Sequence, residues 1–452
     1  MVFIRVCTPF NLRVKDKGMY WIYNFLLIIY WIGLIPVILY RLAFEEGFYE
    51  RIRQSAGYMP DSLMRKIEGR RAIWVHAASV GEIVATSPIV KDIKQKFPDA
   101  VVVVSVVTAT GHAMAHRIIP EAEGIIFFPL DLPFLTRRIL TIIKPIAILL
   151  VETEIWPNFL RIAEKEQIPV MMVNGRISDR SMKRYMMIRS FTREMLASIE
   201  YFCMQSKLDA EYIEILGASH EHITITGNTK YDQTYASVTP DEKLALQDEF
   251  GFGRNHPIIV AGSTHRGEEE LVLNSFKRIL HEYPEARLLI APREIMRGND
   301  VKNLAERNGL KAICRSTMTG PVHTKTPVVV LDTIGELGRL YSLGDIIFVG
   351  GSLVKTGGHN ILEPAAHGKP ILVGPHMFNF KEIYSLLSSR DACLMVRDGQ
   401  ELTATLLQLC GDKARREEMG ANCLTIMKEN RGATQRNTEE MRKLFEKHHI
   451  IP

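Results

Sequence analysis

The chain has 452 residues, 46% of them hydrophobic and 24% charged, with a formal net charge of +5 at pH 7. That length exceeds one ordinary domain, and the composition is that of a folded protein, so disorder is excluded. The mild charge has no Lys/Arg block interleaved with aromatics, which argues against nucleic acid, and Cys7, Cys203, Cys314, Cys393, Cys410 and Cys423 lack the CxxC spacing of a zinc site or the pattern of a disulfide framework.

From Met19 to Tyr40 no charged residue occurs. At ~1.5 Å of rise per residue such a helix just crosses a ~30 Å hydrocarbon core. The run is longer than a signal-peptide h-region and no A-x-A site follows it, so a retained anchor is expected. Arg13, Lys15 and Lys17 flank one end and Arg41, Arg51 and Arg53 the other, which leaves orientation open. Pro36 and the mid-run aromatics Tyr30 and Trp31 keep an interfacial or re-entrant helix open as well.

Beyond the anchor, short β-branched runs alternate with helical stretches, the pattern of parallel sheets covered on both faces. Strands are expected over 72–77, 100–107, 124–129, 145–152, 169–174, 201–205 and 223–227, with helices such as 83–96 and 156–166 between them. A second series has strands over 258–262, 287–291, 328–331, 346–349 and 371–373. A last helix over 411–449 is long enough to reach back to the first series. The organisation expected is an anchor (1–45), an acceptor-side Rossmann-like domain (46–228), a polar linker (229–256), a nucleotide-sugar domain (257–430) and a C-terminal helix (431–452). Both domains would be doubly wound, with a ligand cleft between the carboxyl ends of their strands.

The first site candidate is WVHAASVGE, Trp74 to Glu82, where a buried strand ends in small residues and a helix begins. Glu82 would sit at a helix start facing the cleft, favoured by the helix dipole. Ser79 and Glu82 equally fit a capping box of the form S-x-x-E, which needs no substrate. The second candidate is VETEIWPN, Val151 to Asn158. There Glu152 and Glu154 alternate at a strand end, a spacing that puts both carboxylates on one side for proton handling or sugar hydroxyls, although a helix-start acid with Pro157 at N1 fits too. A basic stretch follows, with Arg176, Arg180, Lys183, Arg184, Arg189 and Arg193 in one helical region. Such a run is ordinarily a solvated face, but beside an anchor it suits anionic lipid.

In the second series, AGSTHRGEEE and VGGSLVKTGGHNILEPAAHG place glycine turns after strands, able to offer backbone N–H groups to phosphate or to serve as simple loops. Neither is a Walker motif nor G-x-G-x-x-G, which disfavours ATP and dinucleotides. Glu363 falls in the first turn of a helix, where a carboxylate can accept two ribose hydroxyls. His76, His265, His359 and His376 lack metal-ligand spacing and read as structural or substrate-contacting.

Taken together, HAASVGE, FPLDLP, VETEIWPN, NGRISDRS, GNTKYD, GSTHRGEE, APRE, DTIGEL, GGSLVKTGGHNILEPAAHG and GPHMFNF closely resemble the blocks of the Kdo (3-deoxy-D-manno-octulosonic acid) transferases, in the family's order from about Trp74 to Phe380. The resemblance implies a GT-B fold and an inverting transfer of Kdo from CMP-Kdo to a lipid A precursor. It also implies the cytoplasmic face of the inner membrane, with no metal and no cofactor. Carried over by residue, the general base falls on Glu82 and a second acid on Glu154. Donor contacts fall on Ser263, Pro292, Arg293, Gly350, Gly351, Ser352, Asn360 and Glu363, with the GGS-turn amides and cationic side chains expected to hold the departing phosphate. Arg176 and Arg180 are the expected acceptor-binding pair. Pro292-Arg293-Glu294 departs from the family's common P-R-H, and Lys355-Thr356 is a locally variable pair. The alternatives are another membrane-associated GT-B enzyme using a UDP-sugar, or a membrane-anchored sugar-nucleotide-binding protein without turnover.

Overall fold

Strands buried on both faces are what an all-parallel sheet demands, and the β-branched runs meet that condition: every residue of Val101–Val106 is buried. The computed structural model describes residues 17–45, 47–253, 256–318 and 326–450; Cys7, Arg13 and Lys15 lie outside the described residues. The first sheet contains β1 (Ala72–His76), β2 (Val101–Val106), β3 (Gly124–Phe127), β4 (Pro145–Val151), β5 (Val170–Gly175), β6 (Tyr201–Met204) and β7 (Ile223–Ile225). The second contains β8 (Ile258–Thr264), β9 (Arg287–Pro292), β10 (Ala312–Cys314), β11 (Val328–Val330), β12 (Ile346–Val349), β13 (Ile371–Val373) and β14 (Cys393–Met395). Their orders are β3-β2-β1-β4-β5-β6-β7 and β10-β11-β9-β8-β12-β13-β14. In each sheet the order of strand addition therefore switches sides, between β1 and β4 and between β8 and β12, and ligands of doubly wound sheets bind at such switch points. These are the two doubly wound sheets of a GT-B fold. The sequence reading missed β10 and β14, edge strands of three residues each that are only partly buried.

Alternation along β1 divides the first core into its two layers. Ala72 and Trp74 face one side and Ile73 and Val75 the other. One compact unit ends at Gln233 and resumes at Arg431; the other is Thr234–Asn430. The boundary lies beyond residue 228 because Thr229 and Tyr231 are buried in the first unit, where the Thr229 hydroxyl donates to the Ala85 carbonyl at 2.7 Å.

The single helix expected over 411–449 is two helices, Lys413–Asn430 and Ala433–Lys447. Gly432, at φ 89° in the left-handed region, makes the break, and the Asp232 carboxylate accepts the N–H groups of Gly432 (2.6 Å) and Thr434 (2.5 Å). Met441, Leu444 and Phe445 then join the core layer of the first unit beside Ile83 and Ile93.

Two further helices attach to that unit. The first two turns of α1 (Lys17–Phe44) are built into it. Tyr20 is buried edge-on against Phe191 at 4.9 Å, the Tyr23 hydroxyl donates to Asp131 Oδ2 at 2.9 Å, and Asn158 Nδ2 donates to Asn24 Oδ1 at 2.7 Å. Asp131 also accepts the N–H groups of Asn158 and Phe159, and burial pushes its carboxyl up to about 7. The rest of α1 is apolar and exposed, with a mean hydropathy of 2.2 in its most apolar window. The next helix, α2 (Phe48–Ser55), returns to the same unit: the Ser55 hydroxyl donates to the Phe128 carbonyl at 2.9 Å, and the Phe127 N–H donates to Gln54 Oε1 at 3.2 Å.

Candidate active site

At the β1/β4 switch point the strand ends at His76, and small Ala77 and Ala78 lead to Ser79, the N-cap of the helix Val80–Lys96. The Ser79 hydroxyl accepts the Glu82 N–H at 3.3 Å, as a cap does. The Glu82 side chain does not complete the reciprocal box. Its Oε2 accepts the Ala78 N–H (2.7 Å), one residue before the cap, and its Oε1 accepts the Ser79 hydroxyl (2.7 Å). Burial pushes the Glu82 carboxyl up to about 8, and the charges of Glu154 and then Glu152 push the same way, against the lowering effect of those two hydrogen bonds.

The acid pair reaches this place by a different route from the strand alternation expected. β4 ends at Val151, and Glu152 is turned into the left-handed region at φ 58°, an unfavourable conformation for a residue with a Cβ. The turn gives the two acids separate partners. Glu152 Oε1 lies 3.0 Å from Lys230 Nζ, a pair only 15% exposed on either side. Glu154 Oε2 accepts the Trp156 indole N–H at 2.9 Å and stands 3.5 Å from His76 Nε2. His76 is itself fixed: its ring stacks on Phe128 at 3.8 Å, and its Nδ1 meets the Ser105 hydroxyl, which also accepts the Trp74 indole N–H. Trp156 stands just before the helix Pro157–Lys165, with Pro157 at N1 as the motif predicts.

The basic stretch forms two helices, Asp179–Met187 and Arg189–Leu196. Arg176 is half-buried in the turn after β5, its carbonyl accepting the Thr153 hydroxyl, whereas Arg180 is exposed in the first turn of the following helix. Tyr185, in the same helix, is pushed up to about 12 by burial and then by the Glu154 charge, which places its hydroxyl in the field of that acid. Sequence reasoning missed Tyr185 and Lys230. The block GNTKYD pointed at Lys230 as part of a motif but gave it no role, and nothing local marked Tyr185.

In the second unit, the amides of the GGS turn are already taken. Glu268, fully buried in the first turn of the helix Glu268–Glu282, accepts the N–H groups of Gly351 (2.7 Å), Ser352 (2.9 Å), Leu353 (2.8 Å) and its neighbour His265 (2.9 Å). Gly350 donates to the Gly262 carbonyl, and a Cβ on it would meet the Ser263 and Thr264 backbone at 2.6 Å, so β8 and the turn approach as closely as glycine allows. The Ser352 hydroxyl is spent on the Val349 carbonyl and the Gly374 N–H. The expectation that these amides hold a leaving phosphate is therefore corrected: a protein carboxylate occupies them.

Cationic groups collect beside that turn. A cavity of about 220 Å³ is lined by Thr264, His265, Arg266, Arg293, Glu294 and Arg297. Arg297 is held by Glu269 at 2.8 Å, while Arg266 and Arg293 are exposed. His265 and His359 share a hydrogen bond between Nε2 atoms at 2.8 Å, and burial, then Arg293, pushes His359 down to about 4. Asn360 Oδ1 accepts the Leu362 N–H and its Nδ2 donates to Glu363 Oε1 at 3.2 Å; burial raises the Glu363 carboxyl, against Asn360 and Arg293. Ser263 is held at φ 54° where β8 ends.

The family description "3-Deoxy-D-manno-octulosonic-acid transferase (kdotransferase)" matches residues 49–233. A 3-deoxy-D-manno-octulosonic acid transferase of Haemophilus influenzae is 34% identical over 424 residues, spanning 93% of this chain and 96% of the relative. This chain belongs to the Kdo transferase family. A Bordetella pertussis member of that name is 30% identical over 377 residues, 82% of this chain and 86% of that one. The fold, at 16% identity, is shared with UDP-GlcNAc 2-epimerase from Neisseria meningitidis, with a TM-score of 0.56 over 82% of this chain and all of that one. As a Kdo transferase the chain is a glycosyltransferase. Its SVGE and ETE motifs come together at one switch point, and Ser263, Arg293, Asn360 and Glu363 gather around the other.

Proposed function

We propose that this protein transfers Kdo from CMP-Kdo to a lipid A precursor such as lipid IVA, with inversion, at the cytoplasmic face of the inner membrane. The observation that carries the reading is the Glu82 carboxyl, buried and pushed up to about 8 beside two further acids, since a general base works best with a pKa near the working pH. The acceptor hydroxyl oxygen attacks the anomeric carbon of Kdo, the bond from that carbon to the phosphate oxygen breaks, CMP leaves with the electron pair, and Glu82 takes the hydroxyl proton. Glu154, held by the Trp156 indole, supports the positive character that develops on the sugar. With the GGS amides engaged by Glu268, the leaving phosphate falls to the guanidinium groups of Arg293 and its neighbour Arg266. Ser263, Pro292, Gly350, Gly351 and Ser352 then act by shaping the turns, and Asn360 presents Glu363 to the ribose hydroxyls. Arg176 and Arg180 serve the acceptor's phosphates.

The test is incubation of the full-length protein with CMP-Kdo and a tetraacylated lipid A precursor, followed by mass spectrometry of the lipid. Addition of one or more Kdo masses, absent with Glu82→Gln, supports the reading. Transfer from a UDP-sugar instead, or nucleotide binding without transfer, overturns it.

A further inference from the structure

We infer that α1 is a monotopic membrane element: it enters one leaflet and leaves on the side it entered, and does not carry the chain across the bilayer. Both of its flanks are fastened to the same folded unit. At the start, Tyr20 lies in the core, Tyr23 is bonded to Asp131 and Asn24 to Asn158. At the far end only three residues separate Phe44 from α2, and that connection is tight, with the Glu45 N–H bonded to the Arg41 carbonyl and the Phe48 N–H to the Glu45 carbonyl. By Gln54 and Ser55 the chain is again bonded to Phe127 and Phe128.

Chain lengths decide the matter. From Asn24 to Phe44 the helix rises ~30 Å. The return from Phe44 to Phe48 spans at most ~14 Å fully extended, and Phe48 to Gln54 adds ~9 Å of helix. Phe44 therefore lies no more than ~23 Å of chain from an attachment on the unit, short of the ~30 Å hydrocarbon core and well short of the ~40–45 Å that includes the headgroups. The returning segment also carries Glu45, Glu50, Arg51 and Arg53, groups that do not reside in hydrocarbon.

What covers the exposed part is hydrocarbon, not headgroup. A helix that lies on a membrane surface has a polar face, and α1 between Phe25 and Tyr40 has no charged residue on any face. Its partly shielded positions, Tyr23, Asn24, Leu27, Trp31, Leu34 and Ile38, recur at helical spacing along one stripe, and the residues between them are exposed. Lipid chains of a single leaflet suit those open faces. Arg41, Arg51 and Arg53 at the exit suit the anionic headgroups above them.

The experiment places single cysteines at Gly18 and at Glu45, one on each flank, in full-length protein with Cys7 changed to Ser; Cys203, Cys314, Cys393, Cys410 and Cys423 are buried and give little background. Labelling with a membrane-impermeant maleimide is compared in spheroplasts and in inverted inner-membrane vesicles. The expected result is that Gly18→Cys and Glu45→Cys are both labelled in inverted vesicles and neither in spheroplasts. Labelling of the two from opposite faces overturns the inference, as does a Glu45→Cys protein that reacts only after detergent. A protein that leaves the membrane with salt alone and sediments as a dimer would mean that a second copy covers α1, and would overturn it as well.

Discussion

Glu82 and Glu268 stand in corresponding places, each in the first turn of the helix that follows the first central strand of its sheet, β1 or β8. Their surroundings differ. Glu268 is closed in by four backbone N–H donors from two turns, and no other acid is among its bonded neighbours. Glu82 has one backbone N–H and one hydroxyl, and two further carboxylates in its field. Position at a helix start favours a carboxylate in both. Glu268, with its four donors, is a structural pin, while burial and the neighbouring acids push the Glu82 carboxyl up to about 8. The pin has a second effect: it occupies the N–H groups of Gly351, Ser352 and Leu353.

The sharpest way to break the comparison is to remove each acid in turn. Glu268→Ala leaves four N–H groups without an acceptor and should destabilise the second unit by about 3–5 kcal/mol, a drop in melting temperature of roughly 10 °C. Calorimetry that finds less than a degree of change would deny Glu268 its structural role. Glu82→Gln should lower kcat by about 10²-fold while CMP affinity, read by titration calorimetry, stays put. For wild type, log kcat/KM should rise with pH and level off above about 8, as the carboxyl loses its proton. The stability contribution runs the other way. Because the folded pKa of about 8 exceeds the ordinary 4.5, that contribution is complete below pH 4.5 and is lost as pH rises through 8, and Glu82→Gln should flatten that loss in pH-dependent melts.

Smaller changes sharpen the same contrast. Lys230→Met strips Glu152 of its cation, so the field on Glu82 grows more negative and the rising limb should move to higher pH, costing roughly 3- to 10-fold in kcat/KM at pH 7. A midpoint that stays where it is would separate Lys230 from the acid cluster. Smallest is the double change Arg176→Ala with Arg180→Ala, expected to raise KM for the phosphorylated acceptor about fivefold and leave KM for CMP-Kdo unchanged. Equal loss for both substrates would remove the pair from acceptor binding.

Much of the frame was legible because it rests on local pattern. Strand runs such as VVVVSV, small residues after β1 and Pro157 at a helix start each report their own structure within a few residues. The parts that were not legible depend on distant partners. Glu268 binds amides 83 to 85 positions away, Lys230 meets Glu152 at a separation of 78, and Asp232 caps a helix 200 residues on. Gly432 could have been read as a helix stop, since Arg431-Gly432 interrupts an otherwise helical stretch, but its neighbours carry good helix formers on both sides. The candidate site was half-visible: S-x-x-E pointed to the glutamate whose carboxyl burial pushes up to about 8, while the spacing of the E-T-E acids suggested a strand where the chain turns left-handed.

The return of Ala433–Lys447 to the first unit sets a schedule for synthesis. Phe445 packs on Phe97 at 5.4 Å, and Met441 and Leu444 complete the layer that contains Ile83 and Ile93. Residues 234–430 must be translated before those three side chains exist. At about 5–20 residues per second that interval is roughly 10–40 s. Throughout it the nascent first unit has an uncovered apolar flank at the helix Val80–Lys96, the helix that bears Glu82, while α1 is already available to the membrane. The helix that bears Glu82 is thus covered only once Ala433–Lys447 has been made and has returned to the first unit.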